Sequence, residues 1–106
     1  MNILFVCSRN QWRSPTAEAI YKNEHGLSVR SAGTEPSARI KITAKLIDWA
    51  DIIFVMEKRH KQRIIENFKD NCQDKEIVIL DIPDDYQFMD EELIDSIKRS
   101  VNPYLP

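Results

Sequence analysis

The chain has 106 residues, 42% hydrophobic and 30% charged, which suits one compact domain with a single core over residues 1–106. Its formal net charge of −2 gives no overall attraction to nucleic acid or to an anionic membrane surface, so any anion site must be local. The apolar runs are too short to cross a bilayer, no basic leader precedes a long apolar stretch, and the two cysteines read as reduced thiols, so a cytoplasmic protein is expected.

Asn2 to Cys7 is a continuous apolar run of strand length, as expected of a strand buried on both faces. Ser14-Pro15-Thr16 then reads as a helix start, a capping residue followed by a proline at a first helical position, and Gly26 as the end of that helix. Leu27–Ser31 is a short strand and Ala32–Pro36 a loop by its glycine and proline. Thr43 caps a helix through Trp49, and Asp51–Met56 is a second apolar strand. A basic helix follows from about Lys58 to Phe68, with Ile64, Ile65 and Phe68 facing inward and the charges forming a solvated face. Glu76–Leu80 makes a fourth strand, Asp81–Tyr86 a polar loop, and Asp90 to Val101 a last helix with Leu93, Ile94, Ile97 and Val101 at helical spacing. This alternation predicts an α/β fold with a mainly parallel four-stranded sheet flanked by helices, whose ligands gather at the carboxyl ends of the strands.

The loop Cys7-Ser8-Arg9-Asn10-Gln11-Trp12-Arg13-Ser14 leaves the first strand and enters a helix, so its backbone amides can converge on an anion at the positive end of that helix. The same surroundings favour the thiolate of Cys7, the nucleophilic form. Arg13 has the planar fork that grips two phosphate oxygens, Ser14 has a hydroxyl for the sulfur, and Asn10 tolerates a left-handed turn that orders the loop. A cysteine with an arginine six positions later is a weak signal alone; the preceding strand and following helix start strengthen it. His25 and His60 have no metal-binding spacing with either cysteine and read as surface residues.

Val6 to Ala19 resembles the signature loop and first helix of the low-molecular-weight protein tyrosine phosphatases. Ser31-Ala32-Gly33-Thr34 and Ala50 to Glu57 are similar to further segments of that family, in the expected order. The resemblance implies a flavodoxin-like three-layer fold, a cysteinyl-phosphate intermediate, no metal or other cofactor, and an aspartic acid from a loop near the C-terminus as proton donor. Ile82-Pro83-Asp84-Asp85-Tyr86 resembles the family's proline–aspartate–proline–tyrosine stretch, which makes Asp84 the acid, with Asp81 its competitor. It also puts Tyr86 in the substrate wall, where Trp12 can form part of the rim; Phe88 reads as a packing residue.

Three departures from the family pattern stand out. Arg9 occupies a position that usually holds glycine, Asp85 stands for the second proline, and the stretch between Glu35 and Trp49 is short. Trp12 also lies where the family often has a second cysteine. The expected activity is metal-independent hydrolysis of aryl phosphate monoesters, chiefly protein phosphotyrosine. The expected partners are phosphorylated proteins or small aryl phosphates, with neither nucleic acid nor membrane. The alternatives are a phosphate-binding module that has lost turnover and, more remotely, a thiol-dependent arsenate reductase using Cys72.

Overall fold

Residues 1–106 are described by a computed structural model. Along the chain run β1 (Asn2–Cys7), α1 (Arg13–Tyr21), β2 (Ser28–Gly33), α2 (Ala44–Trp49), β3 (Ile52–Val55), α3 (Lys58–Asn67), β4 (Glu76–Ile79) and α4 (Glu91–Val101), followed by a 3₁₀ turn at Asn102–Tyr104. The strands lie in the order β2-β1-β3-β4 and every pairing is parallel. This is the expected flavodoxin-like α/β architecture, with the sheet parallel throughout.

Alternation along the strands divides the core in two. Ile3, Phe5 and Cys7 of β1, with Ile52 and Phe54 of β3 and the following Met56, face Ala17 and Tyr21 of α1 and Leu93, Ile97 and Val101 of α4. Leu4, Val6, Ile53 and Val55 face the other way, toward Ile47 of α2 and Ile64 of α3. Burying a large side chain such as Phe5 or Phe54 stabilises the fold by about 2–3 kcal/mol relative to leaving it in water. Helices therefore cover both faces of the sheet, so β1 and β3 read as unbroken apolar runs with no polar alternation.

Several local expectations are revised. Ser14 does not cap α1: the helix already begins at Arg13, and Trp12 at its cap makes no side-chain capping bond. The helix ends at Tyr21, and Gly26 instead supplies a positive φ of 84° in the turn that leads into β2. In α3 only His60 and Ile64 are buried, and Ile65 is exposed, because it stands about 100° round the helix from the inward-facing Ile64. Phe88 is likewise exposed and not packed. Thr43 and Asp90 do cap α2 and α4, accepting hydrogen bonds from the amides of Leu46 and Glu92 at 3.2 and 2.9 Å.

The chain runs from β1 outward to β2 on one side, then returns to place β3 on the other side of β1. The strand order thus reverses beside β1, and the crevice at such a switch point opens above the carboxyl ends of the two strands. Cys7 ends β1 and Glu57 follows β3 by two residues, so the topology brings both to one rim.

Candidate active site

Between β1 and α1 the backbone turns through Ser8 to Trp12, and none of these five N–H groups bonds a protein acceptor. Five consecutive unpaired donors beside the amino end of a helix form a site for an anion. The turn is braced from behind by the stretch after β2. The amides of Thr34 and Glu35 donate to the carbonyls of Cys7 and Ser8 at 3.0 and 2.9 Å, and the Arg39 amide donates to the Arg9 carbonyl at 3.0 Å. Gly33 permits this approach: a Cβ there would lie 2.6 Å from the Ser8 carbonyl oxygen and 2.7 Å from the Ala38 Cβ.

Arg9 does not have a positive φ; the left-handed residue of the loop is Asn10, at φ 57°. The arginine in the usual glycine position therefore asks nothing unusual of the backbone here, and its exposed side chain lines the cleft. Asn10 is fully buried, and its amide nitrogen donates to Ser14 Oγ at 2.8 Å and to Ser31 Oγ at 2.9 Å. Ser31 in turn donates to the Glu18 carboxylate at 2.5 Å. With an acceptor site of Ser14 filled by Asn10, the Ser14 proton is free to point at Cys7 Sγ, 3.0 Å away, or at the Ala32 carbonyl at 3.3 Å. Donation thus runs from Asn10 along two branches, one through Ser31 to the Glu18 carboxylate and one to Ser14, whose proton can serve the sulfur or the Ala32 carbonyl.

Arg13 is the largest fully buried side chain, 1% exposed. Its Nη1 donates to the Glu57 carboxylate at 2.5 Å and to the Ile82 carbonyl at 2.8 Å, whereas Nε and Nη2 have no hydrogen-bond partner. The Asp84 carboxylate stands 3.6 Å from Nε. Glu57 and Ile82 thus hold one edge of the guanidinium, leaving the other edge as a fork of the kind that grips two oxygens of a phosphoryl group.

A cleft of about 430 Å³ opens over this loop, lined by Cys7, Ser8, Arg9, Gln11, Trp12, Arg13, Glu35, Ser37, Arg59 and Asp84. Of the two candidate acids, Asp84 is at the cleft, while Asp81 lines a separate depression with Glu57, Lys58, Arg59 and Pro83. Trp12 reaches the cleft, 43% exposed. Tyr86 does not: it is half-buried against the core that packs around Ile82 and Leu93. Asp85, at the family's second proline, is exposed. Cys7 and Cys72 belong to the two opposite core clusters, so the sheet separates the thiols.

His60 is not a surface histidine. It is 1% exposed and accepts a 3.0 Å hydrogen bond from the Glu57 amide at Nδ1, so in the neutral ring Nε2 carries the proton and donates to Ser8 Oγ at 2.9 Å. Burial, reinforced by the positive charges of Arg13 and Arg59, pushes its pKa down to about 4 despite Glu57 nearby. Glu57 moves below the usual carboxylate range. Burial works against its charge, but hydrogen bonds from Arg13 and Arg59 and their charges outweigh it.

Glu57, His60, Ser31 and Glu18 were absent from the candidates read along the sequence. Glu57 has a recognisable signal, an acidic residue just past a buried parallel strand. His60 lies three residues later at the third position of α3, where its ring completes a capping box with Glu57. Ser31 and Glu18 carry no signal of their own, since only the pairing of β1 with β2 and the packing of α1 beside it bring Ser31 between Asn10 and Glu18.

A family model described as low molecular weight phosphotyrosine protein phosphatase matches residues 2–47. The chain is 34% identical to protein-arginine-phosphatases of Geobacillus stearothermophilus, over 62% of this chain and 61% of that protein, and of Bacillus subtilis, over 64% and 63%. The match therefore spans under two thirds of either relative. Among solved structures, the tyrosine phosphatase Wzb from Escherichia coli K30 in complex with phosphate superposes with a TM-score of 0.78 at 20% identity, covering 97% of this chain and 94% of that one.

Proposed function

We propose that this chain belongs to the low-molecular-weight phosphatase family and is a protein phosphatase working through a cysteinyl-phosphate intermediate. The observation that carries the reading is the meeting of Cys7 Sγ, the free edge of Arg13 and the Asp84 carboxylate around five unpaired backbone donors. In the first step the Cys7 thiolate attacks phosphorus, an S–P bond forms, and the bond to the leaving atom breaks as Asp84 gives that atom its proton. Loop amides and the Arg13 fork hold the phosphoryl oxygens as charge redistributes. In the second step Asp84, now a carboxylate, takes a proton from water. Attack of that water releases inorganic phosphate and restores the thiolate. Ser14, donating to sulfur, stabilises it both as attacking and as leaving group.

Phosphotyrosine on a protein is the first substrate reading, supported by the family's description and by Trp12 as an aromatic face at the rim. A second reading is favoured by two observations: the curated relatives are named protein-arginine-phosphatases, and Glu35 and Asp84 put two carboxylates at the cleft while Tyr86 packs inward. Carboxylates suit the guanidinium of phosphoarginine, whose P–N bond the same two steps cleave. The protein is expected to work in the cytoplasm without a metal.

The test is hydrolysis of an aryl phosphate, a phosphotyrosine peptide and a phosphoarginine peptide by wild type, Cys7→Ser and Asp84→Asn, in reductant and without metal. Turnover lost in Cys7→Ser and reduced in Asp84→Asn supports the mechanism, and the better peptide identifies the substrate. Phosphate binding with no wild-type turnover returns the chain to the binding-module reading, and arsenate-dependent loss of both thiols to the redox one.

A further inference from the structure

Three of the seven exposed large hydrophobic residues, Trp12, Phe88 and Met89, are gathered around the beginning of α1. Phe88 is 52% exposed, yet its backbone is firmly held. It occupies a turn closed by the Asp90 amide donating to the Gln87 carbonyl at 3.2 Å, and the next residue, Met89, has a φ of 63°. That position normally favours glycine. The Met89 amide also donates to Thr16 Oγ1 at 2.9 Å, and Thr16 donates to the Trp12 carbonyl at 2.6 Å, so the turn is pinned to the same helical start that bounds the phosphate loop. The tethered turn thus fixes an exposed aromatic side chain in place beside the start of α1.

Phe88 lines a depression of about 460 Å³ together with Gln11, Pro15, Glu18, Ala19, Lys22 and Arg39. Pro15, Ala19 and Lys22 are at helical spacing on the face of α1 turned away from the core, and Ala19 leaves room for an incoming side chain. Gln11 also lines the phosphate cleft, so the two hollows are neighbours that share one wall. Glu18, the acidic residue of this depression, is occupied by Ser31, whereas Lys22 has no ion pair and Arg39 uses only its Nε, toward the Asn10 carbonyl at 3.1 Å. Two cations against one carboxylate leave the depression with a net positive charge beside the apolar surfaces of Pro15, Ala19 and Phe88.

We propose that this depression is a docking subsite for the stretch of substrate polypeptide next to the phosphorylated side chain, accepting an apolar side chain flanked by acidic residues. The proposal rests on the phosphatase reading for its occupant, and its position beside the cleft makes it a determinant of which phosphoproteins are used.

The experiment compares wild type, Phe88→Ala and Lys22→Glu on p-nitrophenyl phosphate and on two peptides, each prepared with phosphotyrosine and with phosphoarginine. One peptide has leucine beside the phosphorylated residue and aspartates around it; the other has glycine and serine. Wild type is expected to prefer the leucine–aspartate peptide by about tenfold in kcat/KM, as loss of one aromatic contact area implies. Phe88→Ala should abolish that preference through KM, Lys22→Glu should weaken it, and both should hydrolyse the small ester at the wild-type rate. Equal use of the two peptides by wild type, or a preference that survives Phe88→Ala, overturns the subsite. If wild type turns over nothing, the phosphatase reading fails, and calorimetric binding of the same peptides still decides the subsite: a preference lost in Phe88→Ala supports it, and equal affinities overturn it.

Discussion

Arg13 and Glu57 form a 2.5 Å ion pair that ties the end of the phosphate loop to the cap of α3, with the guanidinium buried and the carboxylate at the edge of the site. A second arginine, Arg59, reaches the same carboxylate oxygen at 3.0 Å from outside. Removing Glu57 leaves a buried cation with only the Ile82 carbonyl and the more distant Asp84. Glu57→Ala is expected to cost about 2 kcal/mol of stability, below the range for fully buried pairs because the carboxylate is partly exposed. Under the proposed mechanism it also misorients the guanidinium fork, so kcat should fall by about tenfold or more. Urea unfolding and steady-state kinetics check both, and Glu57→Gln, which keeps an acceptor, should recover part of each.

His60 predicts where acid first weakens the fold. Its folded pKa, about 4, is below its ordinary value near 6.5, so between those values the unfolded chain binds the proton and the native state does not. Stability is therefore fully present above about pH 6.5 and declines as pH falls toward 4, by about 3 kcal/mol in all. Glu57 has the opposite kind of group and a lower window: its depressed pKa contributes stability above the unfolded carboxylate value, lost as pH falls through the folded one. Urea midpoints measured from pH 7 to 4 should decline in wild type and decline far less in His60→Gln; parallel curves for the two would reject the assignment.

Ser14 tests the donor to the sulfur, and because its hydroxyl also accepts from Asn10 at 2.8 Å, a thermal melt accompanies the kinetics. Ser14→Ala keeps a small buried residue in the first turn of α1 but removes the hydroxyl 3.0 Å from Cys7 Sγ. A hydrogen bond to a charged group contributes about 1.5–3 kcal/mol, so a fall in kcat of roughly tenfold to a hundredfold is expected. An unchanged kcat would mean that the sulfur does not depend on this donor.

Gly33→Ala tests the brace behind the loop. Its new Cβ meets the Ser8 carbonyl at 2.6 Å, which is backbone and cannot swing aside. Overpacking of this kind costs about 1–3 kcal/mol, and the loop should shift before the fold fails. Loss of phosphate affinity larger than the loss of thermal stability is the expected result, read by calorimetry and a thermal melt.

Much of this was legible along the chain because it depends on neighbours in sequence. The apolar runs at Asn2–Cys7 and Ile52–Val55 announce strands buried on both faces, the spacing in α4 announces its inner side, and the passage from strand through Cys7–Ser14 into a helix announces an anion site. Covalent order alone puts Cys7 and Arg13 on one loop. The tertiary structure decided what depends on distant segments meeting. Parallel pairing of β1 with β3 delivers Glu57 and His60 to Arg13 and Ser8, and the return of the chain after β4 chooses Asp84 over Asp81 for the cleft. The same return turns Tyr86 inward and Phe88 outward, against their expected roles. Burial is a property of the assembled layers: one basic helix thus carries a deeply buried, neutral His60 beside an exposed Arg59, a difference that composition and charge patterning do not encode.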